Sequence, residues 1–301
     1  MTYFMGIDAG GSKTAALIGD EQHELGRIDG PTCKIQNVGE AAARAALQEV
    51  IQHACADAKT SPGALARICI GISGASNTDI AGRVRHIINE VTPAQVQVIG
   101  DNLIALEAAV GAGPGVVVIA GTGSIAFGRN ESRDEARAGG FGPVISDEGS
   151  GTWIGKRAVR SVAQAGESTG ALAQDVMAAW NSKSTADLVS RANSDPPPDF
   201  AGLFPLVVHA CEQRDPLACE LLEDAGRELA SLAGGVIRKL WPRDTQTVQV
   251  GVAGGVLQNS AHVRRSFTNA LRMAQPNIKV NQRAVEPAAG ALAIARRSQA
   301  Q

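Results

Sequence analysis

The spacing of hydrophobic residues changes repeatedly along the chain between the two-residue period of strands and the 3.6-residue period of helices. Two short apolar runs lie between Phe4 and Ile18, a glycine-rich turn separates them, and a third strand is predicted at 24–29. Helices and strands are then predicted in alternation at 40–59, 68–72, 80–91, 96–100 and 102–110. This order predicts a mixed α/β lobe in which helices cover a sheet.

The same plan begins again at Gly115. An apolar run at 116–120 enters the turn Gly121-Thr122-Gly123-Ser124, and a second run at 125–127 leaves it. The chain therefore looks duplicated. We expect an N-terminal lobe made of residues 1–114 and a C-terminal helix, 287–301, with residues 115–286 forming a second lobe. The second lobe is predicted to contain further helices and strands, at 152–165, 172–180, 201–211, 216–240, 247–253, 260–273 and 278–281.

Composition narrows the classes of function. The chain has 301 residues, of which 44% are hydrophobic, so two ordinary cores can form. Its net charge is −2 and its 28 Lys and Arg are scattered among 30 acidic residues, which argues against a nucleic-acid partner. The N-terminus does not resemble a signal peptide, and the most apolar stretch, 116–119, is far shorter than the ~20 residues that span a bilayer. We therefore expect a cytoplasmic protein without a membrane partner.

The cysteines give no sign of a cofactor. They are an odd set without a Cys-x-x-Cys pair, and the five histidines show no spacing typical of metal ligands. The pattern matches neither a disulfide framework nor a zinc or iron–sulfur site. All five are predicted to be reduced thiols: Cys33, Cys55, Cys69, Cys211 and Cys219.

The turn after the first strand, residues 8–14, has the chemistry of a phosphate loop because glycines let backbone N–H groups approach phosphate oxygens. It lacks the spacing of a Walker A loop, and an ordinary hairpin would use the same residues. The second copy, at Gly121–Ser124, favours a phosphate loop over an ordinary hairpin, since two such turns on two lobes could hold a triphosphate from both sides of a cleft. Asp8, at the end of the first strand, could then hold Mg²⁺; the alternative is a turn-forming aspartate.

These segments together resemble the BadF/BadG/BcrA/BcrD ATPase family, in its N-acetylglucosamine kinase branch within the actin/hexokinase/Hsp70 superfamily. Residues 6–14 and 119–124 look like the two phosphate motifs, and 252–259 looks like the adenosine motif. Residues 103–110 and 288–295 are similar to the two small-residue connecting helices. The resemblance covers nearly the whole chain. It implies an α/β fold of duplicated ribonuclease H-like, actin-like ATPase lobes with a cleft between them, and the use of ATP and Mg²⁺.

The resemblance also implies which residues contact the nucleotide. Ala201 belongs to a segment that lines the nucleotide pocket in relatives, although it could equally begin a packed helix. The nucleotide-binding residues expected by resemblance are Gly10, Gly11, Ser12, Lys13, Thr14, Gly121, Thr122, Gly123, Ala201, Gly254, Gly255 and Asn259, with Asp8 as the metal ligand.

The segment at 98–102 resembles the part of the family that ends in the catalytic aspartate, so Asp101 inherits the role of general base. A sugar hydroxyl is a poor nucleophile until a carboxylate accepts its proton and aims it at the γ-phosphorus. The alternative is that Asp101 caps the helix that begins at Asn102. The two roles are compatible.

The sugar site is expected mainly within residues 139–151, which resemble the family segment Gly-Gly-Trp-Gly followed by Gly-Asp-Glu-Gly-Ser. Here Phe141 replaces the usual Trp and Ser146 replaces a Gly, which leaves the 2-substituent of the sugar open. Asn37 matches an asparagine that contacts the sugar from the first lobe, and its alternative is a turn residue. The substrate-binding residues expected by resemblance are Asn37, Ser124, Gly140, Phe141, Gly142 and Asp147.

The function predicted from the sequence is therefore an ATP-dependent amino-sugar kinase that phosphorylates the 6-hydroxyl of N-acetylglucosamine, glucosamine or a related sugar. One alternative is an ATPase activator of a radical acyl-CoA reductase or dehydratase, which would need cysteines for an iron–sulfur cluster. Another is a non-catalytic module that senses sugar or ATP, which would need no base at Asp101. Dimers are common in this family, and a homodimer is compatible with the sequence.

Overall fold

The structure is a computed structural model that describes residues 1–165, 170–243, 246–281 and 283–297. It divides into two compact units. The first comprises Met1–Gly113 together with the residues from Val285 onward, and the second comprises Pro114–Ala284. Each unit contains one five-stranded sheet.

The strands fall into two groups of five. Those of the first unit are β1 (Tyr3–Ala9), β2 (Lys13–Gly19), β3 (Glu24–Pro31), β4 (Leu65–Ile72) and β5 (Gln95–Ile99). Those of the second unit are β6 (Gly115–Ala120), β7 (Ser124–Arg129), β8 (Glu135–Gly139), β9 (Val248–Ala253) and β10 (Ile278–Val280).

The helices cover both sheets. In chain order they are α1 (Ile35–Asp57), α2 (Thr78–Asn89), α3 (Asp101–Val110), α4 (Gly151–Ala165), α5 (Ala171–Ala179), α6 (Thr185–Ala192), α7 (Phe204–Glu212), α8 (Pro216–Leu240), α9 (Gly255–Asn259), α10 (Ala261–Ala274) and α11 (Pro287–Arg297). The helices α1, α2, α3 and α11 belong to the first unit, and the others belong to the second. No helix among the described residues is both long and apolar enough to cross a membrane.

The two sheets share one topology, which confirms the predicted duplication. The first has the order β3-β2-β1-β4-β5, and the second, counted from the same side, has the order β8-β7-β6-β9-β10. In each, the first three strands form an antiparallel meander, and the last two run parallel to the first strand of the unit. This is the order of a ribonuclease H-like sheet, so the fold predicted from the sequence is present twice.

Side-chain alternation along β1 places α11 in the first unit. Met5 and Ile7 face a core shared with α1 and α2, whereas Phe4 faces a second core shared with α3 and α11. Gly6 lies on the face of Phe4, where a Cβ would come within 2.1 Å of the Leu292 backbone nitrogen. Only glycine permits this approach, so α11 lies directly on the strand that contains Asp8.

Helices α3 and α11 approach each other equally closely. A Cβ on Gly290 would lie 2.0 Å from the carbonyl oxygen of Ile104. The small residues that the sequence places in both helices thus allow their backbones to pack together.

Several elements differ from those predicted. Strand β8 and helix α6 were not predicted, because β8 is rich in small and charged residues and α6 buries a single hydrophobic side chain, Leu188. Helix α1 begins at Ile35, before the predicted start, and is interrupted at Gly39, whose φ is 78°. Gly39 adopts a left-handed backbone conformation that other residues rarely take. It interrupts the helical spacing of hydrophobic residues, so the turn that precedes it was not predicted.

The prediction for the cysteines is wrong in part. Cys211 and Cys219 form a disulfide, with their Cα atoms 4.7 Å apart. Cys33, Cys55 and Cys69 are free and buried, as predicted. The bonded pair lies where α7 ends and α8 begins, and the turn between these helices brings together two cysteines eight residues apart. A search for Cys-x-x-Cys pairs does not detect this arrangement.

Candidate active site

The glycine-rich turn of the first unit lies between β1 and β2 and is held by two side chains that follow β3. The Thr32 hydroxyl donates to the carbonyl oxygen of Gly10 at 2.8 Å, and the Asn37 amide donates to that of Gly11 at 3.1 Å. The turn carbonyls therefore have partners within the unit. Asn37 itself is exposed, so a residue expected to contact sugar also orders the first phosphate turn.

The side chains at the end of this turn have structural partners. The Lys13 ammonium lies 3.0 Å from the Asp29 carboxylate at an exposed position. Thr14 is fully buried, and its hydroxyl accepts a hydrogen bond from the Cys33 backbone N–H at 3.0 Å. In this conformation, the part of the turn best able to meet phosphate is its backbone.

Two acidic residues end parallel strands at the same edge of the first sheet. Asp8 lies near the carboxyl end of β1, and Asp101 follows β5, while β4 runs parallel to both strands between them. Burial raises the pKa of Asp8 to about 7, with further contributions from the negative charges of Asp101 and Glu286, against the opposing effect of Lys13. The edge thus brings negative charges together at positions that are partly withdrawn from water.

Asp101 is the first residue of α3, and Gly100 occupies the N-cap position. The Asp101 carboxylate accepts a hydrogen bond from the Asn102 backbone N–H at 3.0 Å. Burial raises the pKa of this carboxyl group, while the charge of Lys34 and the hydrogen bond from Asn102 act in the opposite direction. Gly100, and not Asp101, is therefore the N-cap residue. Asp101 contributes to capping only through its hydrogen bond with the next backbone N–H, within the first turn of the helix.

The turn of the second unit, between β6 and β7, is fixed by the segment that follows β8. The buried Asp147 carboxylate accepts a hydrogen bond from the Ser124 backbone N–H at 3.1 Å, and the Ser124 hydroxyl donates to the Glu148 carbonyl at 2.7 Å. A Cβ on Gly123 would lie 2.8 Å from Asp147. Asp147 also has a φ of 79°, which is uncommon for a residue with a side chain. Two residues expected to bind sugar thus lie directly against the second phosphate turn.

The residues expected to bind nucleotide in the second unit also converge on this turn. The first residue of α4, Gly151, donates its N–H to the Gly121 carbonyl at 2.8 Å, and a Cβ on Gly151 would lie 3.4 Å from the Ala201 side chain. Gly254 has a φ of 89°, and its Cβ would lie 2.4 Å from the carbonyl oxygen of Ala120, the residue before the turn. Ala201 and Gly254, which follow Gly121 by 80 and 133 positions in the sequence, therefore both lie close to the end of β6.

The segment expected to bind sugar contains four glycines in left-handed conformations and adjoins a basic groove. Gly139, Gly140, Gly142 and Gly149 all have positive φ values, and Phe141 is exposed, with the Arg137 guanidinium 4.6 Å from its ring centre.

Beside Asp147, a groove continues along α4. It is lined by Trp153, Lys156, Arg157 and Arg160, among others. Arg157 packs over the Trp153 ring and pairs with Asp224 at 3.0 Å. The groove therefore offers an aromatic surface and several cations next to the predicted sugar segment.

Sequence reasoning missed several residues that shape the site. Thr32, Lys34 and Glu286 act on Gly10, Asp101 and Asp8, respectively, and the basic residues of α4 were also missed. The helical spacing of Lys156 and Arg160, four residues apart on one face, was a signal that could have indicated the groove.

The comparisons with known proteins agree with these motifs. The model of the BadF/BadG/BcrA/BcrD ATPase family matches residues 5–295. An N-acetylmuramic acid/N-acetylglucosamine kinase from Clostridium acetobutylicum is 32% identical over 98% of this chain and 99% of its own length. An N-acetyl-D-glucosamine kinase from Dictyostelium discoideum is 29% identical over 97% of both chains.

A solved structure is also similar. A candidate N-acetylglucosamine kinase from Chromobacterium violaceum superimposes with a TM-score of 0.78 at 27% identity, over 96% of this chain and 97% of that one. Each of these matches extends over nearly the full length of both chains. The chain therefore belongs to the BadF/BadG/BcrA/BcrD ATPase family.

Proposed function

We propose that this chain, an ATP-dependent sugar kinase, transfers the γ-phosphoryl group of ATP to the 6-hydroxyl of an amino sugar, with Asp101 as the general base. The observation that carries the proposal is the pair of partly buried carboxylates with raised pKa values, Asp8 and Asp101, at one edge of the first sheet. Phosphoryl transfer needs two acidic functions, one to hold a metal and one to accept the proton of the acceptor.

Asp101 suits the role of base because its environment makes it a better proton acceptor than an exposed aspartate. Burial raises its pKa, which brings the carboxylate closer to the pH at which the enzyme would work. The hydrogen bond from Asn102 fixes the side chain. The orientation that catalysis requires would therefore be present before the sugar binds.

Asp8 is the residue proposed to hold Mg²⁺. Magnesium prefers oxygen ligands and is commonly bound by one or two carboxylates together with phosphate oxygens and water. The raised pKa of Asp8 reflects a buried acid near the charges of Asp101 and Glu286, and a cation would relieve that repulsion. When held by Asp8, Mg²⁺ would neutralise negative charge that develops during phosphoryl transfer.

The backbone of the two turns is proposed to bind the phosphates, and Gly254 and Gly255 to lie beneath the nucleoside. In the second unit, the support comes from the convergence of Gly121, Ala201 and Gly254 at the end of β6. Ser124 and Asp147 join this turn to the proposed sugar segment.

The groove beside Asp147 favours a second candidate acceptor, N-acetylmuramic acid. This sugar carries a carboxylate that N-acetylglucosamine lacks, and Lys156 and Arg160 lie along the groove. The relative from Clostridium acetobutylicum carries both sugars in its name. Cations at a substrate site discriminate most strongly when the competing ligand has no charge to pair with them.

The two other functional classes predict different behaviour. An activator of a radical enzyme would bind an iron–sulfur cluster, so purified protein would be coloured and would contain iron. A sensing module would bind ligand without turnover and would not depend on Asp101.

A coupled assay of ADP release against a panel of sugars tests the proposal. We expect sugar-dependent ADP release with N-acetylglucosamine, glucosamine or N-acetylmuramic acid, and NMR of the product should place the phosphate on the 6-oxygen. Lys156→Gln and Arg160→Gln should lower kcat/KM for N-acetylmuramic acid more than for N-acetylglucosamine, whereas Arg191→Gln on α6 should change neither. The absence of sugar-dependent turnover with every member of the panel would contradict the proposal.

A further inference from the structure

Three side chains outside every nucleotide and sugar motif bring their metal-binding atoms together in the second unit. The sulfur atoms of Cys211 and Cys219 and a ring nitrogen of His262 all lie within 4.8 Å of one another. Cys211 lies at the end of α7, Cys219 lies in the first turn of α8, and His262 lies in the first turn of α10. Three separate helices therefore supply one ligand atom each at one corner.

The tautomer of His262 is fixed by its neighbours. A guanidinium nitrogen of Arg265 lies 3.3 Å from His262 Nδ1, and a guanidinium can only donate, so Nδ1 carries a lone pair. Nε2 then carries the hydrogen and donates it to the Glu223 carboxylate at 3.2 Å. Nδ1 is also the nitrogen that faces the sulfur of Cys211, at 3.7 Å.

This arrangement is typical of a histidine that ligates a metal. Such a histidine presents the lone pair of one nitrogen to the ion and donates its other N–H to a carboxylate or carbonyl, which orients the ring and increases its basicity. His262 has such a carboxylate partner in Glu223. Glu223 lies on α8, four residues after Cys219 and therefore on the same face of the helix, one turn further on.

We propose that Cys211, Cys219 and His262, in the reduced protein, form a binding site for a thiophilic divalent cation of the zinc class, with Glu223 supporting His262. Two thiolates and an imidazole suit zinc, and three protein ligands leave a fourth position for water or another donor. The disulfide in the structure is the oxidised form of the same pair. Disulfide and metal are therefore mutually exclusive states of one site.

An external dithiol is the reductant that converts the disulfide into the two thiols of the metal site. The dithiol gives two electrons and two protons to the Cys211–Cys219 bond, which yields two protein thiols and the cyclic disulfide of the reductant. Metal binding then releases one proton from each thiol and none from His262, whose Nδ1 already carries the lone pair.

The change of geometry is small. The Cα atoms of Cys211 and Cys219 lie 4.7 Å apart, and two thiolates on one zinc ion, each about 2.3 Å from it, lie roughly 3.8 Å apart in a tetrahedral site. Rotation of the two cysteine side chains can supply this separation, because both are only partly buried. Arg265 is exposed, so its side chain can turn towards solvent as the cation enters.

Cobalt(II) titration of tag-free protein tests the proposal, because Co²⁺ replaces zinc and reports thiolate ligands through its colour. Protein reduced with dithiol and then separated from it under anaerobic conditions should bind one Co²⁺ per chain. The spectrum should show visible bands of a tetrahedral site and a thiolate-to-cobalt charge-transfer band. Zn²⁺ should displace the cobalt and remove the colour, and oxidised protein should show no such spectrum.

Variants assign the ligands. Cys219→Ser and Cys211→Ser should weaken or abolish the charge-transfer band, His262→Gln should weaken binding strongly, and Glu223→Gln should weaken it about 10- to 100-fold, the range for a residue that orients a ligand. Cys55→Ala removes a buried thiol of the first unit and should leave the titration unchanged.

Circular dichroism of each variant separates loss of a ligand from loss of the fold. If reduced protein with a native spectrum gives no thiolate–cobalt band, or if folded Cys219→Ser gives the same band as the wild type, the proposal is wrong and the pair is a structural disulfide only. Binding that is equally tight before and after reduction would overturn it as well, because thiolates would then not be ligands.

Discussion

Asp8 and Asp101 lie near each other, yet their proposed roles require different substitutions to test them. Asp101→Asn keeps the size of the side chain and removes its ability to accept a proton. We expect turnover to fall on the order of 100-fold or more, with ATP affinity nearly unchanged. Steady-state kinetics and nucleotide titration measure the two quantities.

Asp79→Asn is the matched control, since Asp79 is an exposed aspartate in the first turn of another helix, α2. Its turnover should match that of the wild type. Asp101→Asn turnover within about threefold of wild type would rule out Asp101 as the base.

Asp8 should make stability depend on pH in metal-free protein. Its folded pKa of about 7 lies above the ordinary value of 3.8. Well below pH 4 the group is protonated in both the folded and the unfolded state and does not affect the free energy of unfolding. As the pH rises from 4 to 7, the unfolded state loses its proton first, and the folded state loses stability by up to about 1.4 kcal/mol per pH unit. Above pH 7 the group is ionised in both the folded and the unfolded state, so the loss of stability no longer changes with pH.

Asp8→Asn should therefore raise the free energy of unfolding at pH 8 and change it little at pH 4, while abolishing Mg²⁺-dependent turnover. Urea unfolding in the presence of a chelator, at both pH values, measures the difference. An equal effect of the substitution at both pH values would show that burial of this charge is not the cause.

At the residue scale, the sequence predicted the two aspartates of the candidate site but not the charged residue that lies near Asp8. Asp8 and Asp101 were predicted because each follows an apolar strand within a recognisable motif. Glu286 is 278 positions from Asp8 and has no motif, and only the folded chain brings the two charges close. Likewise, the pairing of Cys211 with Cys219 depends on the turn between two helices.

At the scale of elements, glycines of the proposed second phosphate turn and of the proposed adenosine motif differ in the space around them. A Cβ on Gly121 would meet nothing within 4 Å, whereas one on Gly254 would lie 2.4 Å from a backbone oxygen at a φ of 89°. We expect Gly121→Ala to fold normally and to bind ATP about 10-fold more weakly, because the methyl group lies where phosphate must approach. Calorimetric titration should show almost no change for the sugar.

Gly254→Ala should instead destabilise the protein by about 1–3 kcal/mol, through backbone strain. Gly82, inside α2, is the control for the substitution itself, because its Cβ would also meet nothing within 4 Å. Gly82→Ala should stabilise the protein by roughly 0.5–1 kcal/mol, the helix preference of alanine over glycine. If Gly121→Ala and Gly254→Ala prove equally destabilising, the distinction between them is wrong.

The elements that the sequence predicted are those with strong periodicity. Strands β1, β4 and β6 and helices α8 and α10 have clear patterns because one face, or both faces for the central strands, is buried. Strand β8 and helix α6 gain their stability from neighbours rather than from their own composition. Local patterns carry no information about such neighbours, so these two were missed.

At the scale of the molecule, the duplication was predictable because two strand–turn–strand segments recur in one order. The position of α11 has a measurable effect on one unit only. Leu292→Ala removes a buried side chain of α11 from the core that contains Phe4 and Ile104. The substitution should lower the free energy of unfolding by about 2–5 kcal/mol. Hydrogen exchange should show lost protection in β1 and β4, with protection in β6 and β9 largely unchanged.

Val189→Ala, at an exposed position of α6, should leave exchange in both units as in the wild type. If Leu292→Ala weakened protection in β6 and β9 as much as in β1 and β4, then α11 would not act on the first unit alone.

The late position of α11 also bears on synthesis at the ribosome. Strands β1–β5 emerge first, but the helix that covers Phe4, Leu17 and Cys69 follows only after roughly 170 more residues. At translation speeds of 5–20 residues per second this is an interval of roughly 10–30 s. The second unit is continuous in sequence, so it can finish while the first still exposes one apolar face. The unit that leaves the ribosome first is therefore the last to complete its fold.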